Sequence, residues 1–363
     1  MKRFVGYERG MGIGGWLTNY KRFNVLPDEW RMPITIGDLE HFESFITERD
    51  IAYIASLGMD HIRLGFDQIV LEESPYVYRE RTLQCIDRCL EWCKQHGLNV
   101  VLNLHKCLGN YCDVQTEEKL FESEELQKRM VALWKMLARR YANCEHAAFE
   151  LLNEVTTQNP EEWNRLAERC VQAIRKITTE RIIVVGSVGG NYPCFLKDLR
   201  VWEDERIVYT FHYYSPAEFT HQRGVLKSMH LYYNREMPYP CDDVERYRDF
   251  WRLVGEDDHR YDGYERIDRQ VLRDGMQGAV DFIEQHPDKI LWCGEFGTIR
   301  HCPTVYRENW MHDMIEFCKD YGIPYCVWNY LSTPNDGNRF SLVDDDRREI
   351  ISERMAQIIR GEL

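Results

Sequence analysis

Short apolar runs alternate with amphipathic stretches along most of this chain. Eight runs have the length and character of strands buried on both faces: near residues 5–15, then 61–64, 100–104, 148–152, 182–185, 207–211, 290–293 and 325–328. Between most of them the apolar residues recur with helical spacing, which predicts helices over 81–96, 124–141, 161–178, 268–285 and 305–321. One junction repeats. Ser56-Leu57-Gly58, Gln95-His96-Gly97 and Asp320-Tyr321-Gly322 each end a helical pattern just before an apolar run. Glycine past the last helical turn takes the left-handed conformation without strain, so each junction reads as helix, glycine, buried strand. Such alternation, with no Gly-x-Gly-x-x-Gly after the first run, predicts an α/β chain folded as a (β/α)8 TIM barrel rather than a doubly wound sheet.

The interval between the sixth and seventh runs breaks the rhythm. Residues 213–289 form a connection much longer than the others, with Pro216, Pro238, Pro240, many Tyr and a charged run over 242–269. Long structured insertions in barrels sit on the βα-loop side and shape the site there. A single barrel domain over 1–363 is therefore expected, with an inserted subdomain after strand six, at 215–264, over the cleft.

A chain of 363 residues that is 44% hydrophobic can bury one core of this size. The net charge of −14 and a pI near 5.4 argue against nucleic acid and against anionic membrane surfaces, and fit a neutral partner. Ten Trp and twenty-one Tyr are generous; most read as core, but aromatic faces also stack on sugar rings or other flat ligands. Thirteen Cys are scattered with no Cys-x-x-Cys pair, so neither a structural metal nor a cofactor is expected. Cys85, Cys89 and Cys93 recur along one helical face and read as small apolar packing. The odd number of cysteines in apolar settings points to a reducing compartment. After Met1-Lys2-Arg3, Glu8 and Arg9 interrupt any apolar run. No signal peptide or membrane span is read, and a cytoplasmic location is expected unless an export signal was removed. The pattern says nothing of oligomeric state.

Two runs end in a carboxylate. Phe149-Glu150-Leu151-Leu152-Asn153-Glu154-Val155 leaves its strand through Glu154, and Ile290-Leu291-Trp292-Cys293-Gly294-Glu295-Phe296-Gly297 through Glu295. A carboxylate at the mouth of a buried strand is costly unless something there uses it. In a barrel the strand C-termini converge on one face, where the active site lies. The strand ends then offer Arg63, His105, Asn153, Glu154, His212, Tyr214, Glu295 and Trp328. Two carboxylates can serve as acid/base and nucleophile, as glycosidic bond cleavage requires. Arg and Tyr can hold a carboxylate in place, Asn can bond a sugar hydroxyl, and Trp gives an apolar platform. Any one Glu alone is as readily a helix cap or an ion-pair partner. Trp16, Tyr20, Tyr111, Trp202, Tyr213 and Asn329 are candidates either for sugar contact or for packing.

This set resembles glycoside hydrolase family five, within the clan of retaining glycosidases whose two glutamates follow strands four and seven. The resemblance covers nearly the whole chain, from Gly10-Met11-Gly12-Ile13-Gly14-Gly15-Trp16 to Trp328-Asn329-Tyr330. It most resembles the clostridial intracellular-type endo-β-1,4-glucanases (cellulases) of that family, which share Leu-Leu-Asn-Glu-Val and an insertion after strand six. The resemblance implies that Glu154 is the general acid/base and Glu295 the nucleophile, their carboxyls roughly 5 Å apart. It further implies that Asn153 bonds the hydroxyl beside the anomeric carbon, that Tyr214 and Arg63 attend Glu295, and that His212 positions the acid/base side. Two departures stand out: Asn153-Glu154-Val155 in place of Asn-Glu-Pro, and His105-Lys106 in place of His-His.

The expected activity is a retaining hydrolase of β-1,4 glucans, mixed β-1,3/1,4 glucans included, or of their oligosaccharides. An exo-acting β-glucanase or β-glucosidase and a β-mannanase are alternatives on the same scaffold. A carbohydrate-binding barrel that has lost catalysis is a rival of another class, against which the two intact glutamates argue. A metal-dependent or phosphate-binding barrel lacks support: the first strand has no His-x-His, and the last two turns have no glycine cluster.

Overall fold

The computed structural model describes residues 2–18, 34–111, 119–225, 228–256, 259–333 and 336–363. Eight parallel strands close into a barrel: β1 Arg9–Leu17, β2 His61–Asp67, β3 Asn99–Lys106, β4 Ala147–Glu150, β5 Ile183–Gly186, β6 Ile207–Tyr213, β7 Ile290–Phe296 and β8 Tyr325–Val327. Each strand pairs with its sequence neighbours, and β1 pairs with β8 to complete the ring. The expected (β/α)8 barrel is therefore the fold.

Local chemistry accounts for the helices around it. The side chains of Ser123 and Asn159 accept from backbone N–H groups at the starts of Glu124–Arg140 and Pro160–Arg175, leaving fewer unpaired donors. The three junction glycines behave as read: Gly58, Gly97 and Gly322 all have positive φ, of 79°, 71° and 65°. The face of Cys85, Cys89 and Cys93 is buried, and the twelve described cysteines are all free thiols. No helix among the described residues is long and apolar enough to cross a membrane.

Three differences from the sequence reading bear on the architecture. The first strand starts at Arg9, and the apolar residues before it, Phe4 and Tyr7, stack on each other and close the lower end of the barrel. The fourth strand stops at Glu150 rather than running to Leu152. The helix expected over 268–285 is two helices, Arg269–Gly275 and Gln277–Gln285, which meet at Met276. Close contacts lie on either side of the break. A Cβ on Gly275 would stand 2.1 Å from the Tyr213 hydroxyl of β6, and one on Gly278 would stand 2.4 Å from the Pro193 carbonyl in the segment after β5, so neither position has room for a side chain.

The barrel interior changes character along its axis. Its lower end is an apolar cluster of Phe4, Tyr7, Val101, Ala148, Val184, Val208, Trp292 and Cys326. Two residues further up the same strands, the period-two alternation delivers Asn103, Glu150 and Thr210, all fully buried. One end of the cylinder is thus a plug and the other a polar chamber.

The long connection after β6 contains short helices at Ala217–Thr220, Ser228–Tyr233 and Val244–Leu253, tied by a bridge between Cys241 and Ile267. Its first residues sit at the upper rim. Thr220 Oγ1 donates to the Tyr214 carbonyl (2.5 Å), and the Val225 N–H donates to Asn338 Oδ1 (2.7 Å). Its later part lies on the helix Thr304–Tyr321, where the Tyr239 hydroxyl donates to Asp313 (2.8 Å).

Candidate active site

Arg63 is the hub of the polar chamber. It is the middle of β2, in register with Gly12 on one side and Val101 on the other, and its side chain is fully buried. A buried guanidinium must have its donors answered. Nε and Nη2 donate to the two oxygens of Glu150 at 2.7 and 2.8 Å. Nη1 donates to Glu295 Oε2 at 2.5 Å, and Nη2 also reaches Asn153 Oδ1 at 2.6 Å. The same Nη2 lies 3.4 Å from His212 Nε2.

From the other side the Tyr214 hydroxyl donates to Glu295 Oε1 at 2.7 Å, so both oxygens of that carboxylate are engaged. His212 Nδ1 lies 3.0 Å from Glu154 Oε1. Burial, the largest influence, pushes His212 down to about 4, so the ring is neutral near neutral pH. With Nε2 facing an arginine donor, the proton belongs on Nδ1, which donates it to Glu154. Burial, reinforced by the Glu295 charge, holds the Tyr214 phenol well above its ordinary value, so it remains a donor. One oxygen each of Glu154 and Glu295 and a ring nitrogen of His212 all lie within 4.8 Å of one another.

The two carboxylates differ in exposure. The Glu295 side chain is 7% exposed and that of Glu154 22%. Glu154 is in the loop after β4, which is pinned twice. The Asn153 N–H donates to the Leu104 carbonyl of β3 (2.9 Å), and Asn110 holds both the Glu154 carbonyl (2.8 Å) and the Thr156 hydroxyl (2.6 Å).

His105 and Trp328 form a stacked pair beside this network, with ring centroids 5.3 Å apart and planes 7° from parallel. Burial, with added repulsion from Lys106, Arg63 and His212, holds His105 well below its ordinary value. The indole packs against β1, where glycines leave room for it. A Cβ on Gly12 or Gly14 would come within 2.7 or 2.6 Å of its ring atoms.

All eight strand-end residues expected from the sequence meet at this end of the barrel. The outer aromatic candidates fare differently. Trp16 is core, its indole N–H donating to the Phe42 carbonyl (2.7 Å). Trp202 precedes β6, so it lies toward the opposite end, where its N–H meets Glu168 (2.6 Å). Tyr213 faces the helices and stacks on Tyr192 at 5.7 Å. Parity selects packing, one of its two readings, since His212 and Tyr214 point inward. Asn329 is buried beside Trp328, and Tyr111 is half-buried just past Asn110. Tyr20 lies outside the described residues. Lys106 is buried, in register with Asp67. The sequence reading missed Glu150 and Asn110.

Comparison with known proteins gives a consistent result. The family model "Cellulase (glycosyl hydrolase family 5)" matches residues 28–333. Endoglucanase C of Acetivibrio thermocellus is 37% identical over 358 residues, covering 96% of this chain and 97% of that protein. Cellodextrinase A of Ruminococcus flavefaciens is 35% identical over 227 residues, 61% of this chain and 62% of that protein. Among solved structures, a hyperthermophilic endo-β-1,4-glucanase in complex with substrate superposes with a TM-score of 0.73 at 19% identity, covering 98% and 97% of the two chains, which is a likeness of fold.

Proposed function

The chain belongs to glycosyl hydrolase family 5, and from that premise we propose that it hydrolyses β-1,4-linked glucans by double displacement, with Glu295 as nucleophile and Glu154 as general acid/base. The observation that carries the double displacement is the spacing. Carboxylate oxygens within 4.8 Å leave no room for a water between sugar and base, as an inverting enzyme needs, and match the separation of roughly 5 Å at which one carboxylate attacks the sugar directly.

The surroundings support the division of labour. Glu295 is held on both oxygens, by Arg63 and Tyr214, so it stays aimed at one point. Glu154 is the more exposed and faces a neutral His212, so it can carry a proton and trade it with water. In the first step Glu295 bonds to the anomeric carbon while Glu154 protonates the departing glycosidic oxygen. In the second, Glu154 takes a proton from water as the water displaces Glu295. Asn153, its carbonyl oxygen fixed by Arg63, turns its amide nitrogen away from the guanidinium and toward the sugar hydroxyl beside the reacting carbon. Trp328, packed between β1 and His105, gives the same ring an apolar border.

The subdomain at 215–264 is read as part of the cleft, because its first residues pack on Tyr214: the His221 ring stands 5.2 Å from that tyrosine and 5.1 Å from Phe340. A preference for short glucan oligosaccharides is the second reading, favoured by the similarity to Cellodextrinase A. One experiment addresses both. The chain is incubated with β-1,4, β-1,3 and mixed-linkage glucans and with mannan, and products are resolved by length and by first-formed anomer. Mixed lengths and an initial β anomer from β-1,4 glucan are expected. An initial α anomer would overturn the retaining assignment, and a single product length would favour exo action.

A further inference from the structure

Glu150 is a fully buried carboxylate that takes no direct part in the displacement. It ends β4, in register with Asn103 and Val184, three residues before Asn153 and four before Glu154. Both of its oxygens accept from Arg63, at 2.7 and 2.8 Å, in the planar two-point pairing that suits a guanidinium. This pairing fixes the plane of Arg63. The remaining donors then fall where they are needed, with Nη1 on Glu295 and Nη2 on Asn153.

The pairing also divides the charge. Without Glu150, the whole charge of Arg63 would act on Glu295, in a buried setting where Coulomb effects are strong. A cation that binds a nucleophile too firmly holds it in the ground state. Beside Arg63, the Tyr214 hydroxyl donates to Glu295, an atom each of His212 and Glu154 lies within 4.8 Å of it, and the buried Cys326 thiol of β8 is near enough to feel its charge. Of these only Glu154 carries a formal charge near neutral pH, and it does so only in its ionised form. Glu150 is therefore the group placed to balance Arg63.

We propose that Glu150 is a positioning residue for the displacement: it clamps Arg63 and offsets its charge, so that Arg63 orients Glu295 and Asn153 without quenching the nucleophile. This rests on the reading of Glu295 as nucleophile.

The test uses Glu150→Gln and Glu150→Asp in the full chain. The rate of covalent trapping by a slow-turnover fluorosugar cellobioside is followed across pH, and the labelled peptide is identified. In Glu150→Gln the amide places a donor against the Arg63 donors and removes the balancing charge. The trapping rate is expected to fall on the order of 10- to 100-fold, with its acidic limb moved to lower pH. Glu150→Asp keeps the charge and shifts the clamp. Its rate should fall while the limb stays with the parent. A parent-like limb in folded Glu150→Gln would overturn the proposal, because a structural role lowers rate and melting point without moving the limb. If Glu150→Gln does not fold, a Glu150→Asp limb displaced to lower pH would do the same. A label on a peptide lacking Glu295 would instead refute the nucleophile assignment on which the inference rests.

Discussion

Two buried arginines, at opposite ends of the barrel, are met by opposite kinds of partner. Arg63, at the upper end, is met by two carboxylates, Glu150 and Glu295. Arg181, just before β5 at the lower end, is met by carbonyls: Cys144 and Tyr141 at 2.5 Å each, and Ala147. Tyr141 and its neighbours end the helix Glu124–Arg140, so Arg181 answers the negative end of that helix and the start of β4 together. The Phe149 ring lies 4.9 Å from its guanidinium. Carbonyls cannot be removed by mutation or protonation, and a cation placed on them locks backbone to backbone. Carboxylates can change charge and partner, and a cation placed between two of them tunes reactivity. The comparison separates a stability device from a chemical one although the residue type is the same.

Loss of chemistry at the upper end should be the largest effect. Glu295→Gln and Glu154→Gln are each expected to lower kcat on natural glucan by on the order of 10⁴-fold or more, with melting points within a few degrees of the parent. Near-parent turnover by either variant would break the assignment. Arg181→Met should do the reverse. Three buried carbonyls lose their donor, so stability should drop by roughly 4 kcal/mol. Initial rates at a temperature where the variant is folded should match the parent. Denaturant unfolding alongside kinetics checks both halves, and a large fall in kcat would erase the contrast.

The acid response sharpens the comparison further. His212 titrates near 4 when folded and near 6.5 when unfolded, mainly because burial disfavours its charged form. The unfolded chain therefore binds the extra proton first. Stability from this group is complete above pH 6.5 and is lost as pH falls toward 4, by roughly 3 kcal/mol at most. Melting points of the parent and His212→Phe should converge over that window, while Arg181→Met should retain the parental slope. An unchanged slope in His212→Phe would show that the ring is not held neutral. Smallest of all should be the effect of a chelator. Glu154, His212 and Glu295 are close enough to hold an ion, yet two carboxylates suffice for the displacement. Activity after exhaustive EDTA treatment should equal that before. Loss restored by a divalent ion would assign the cluster to a metal.

The residues that were legible share a property. Glu154 and Glu295 each follow an apolar run at its C-terminal end, and strand polarity in a barrel sends such residues to one face. Arg63, His105, His212 and Trp328 were reachable by the same rule. Glu150 was not. It lies within the run at 148–152, where a single polar residue looks like an interruption, and its partner Arg63 is 87 residues away. Trp202 and Tyr213, left open between sugar contact and packing, could have been assigned to packing from signals already present: Trp202 precedes its strand, and Tyr213 has the wrong parity. Trp16 gave no such warning, because β1 carries a bulge between Ile13 and Leu17 that resets the alternation.

By itself, then, the order of apolar and polar residues determined the number of strands, their direction and the end at which the chemistry gathers. These follow from local rules of periodicity and from the single hand of the βαβ turn. Only the closed barrel decided which charges neutralise which. That depends on distances across the interior, between strands far apart in sequence, where a shift of one residue in register would replace Glu150 with an apolar neighbour and leave Arg63 buried beside it.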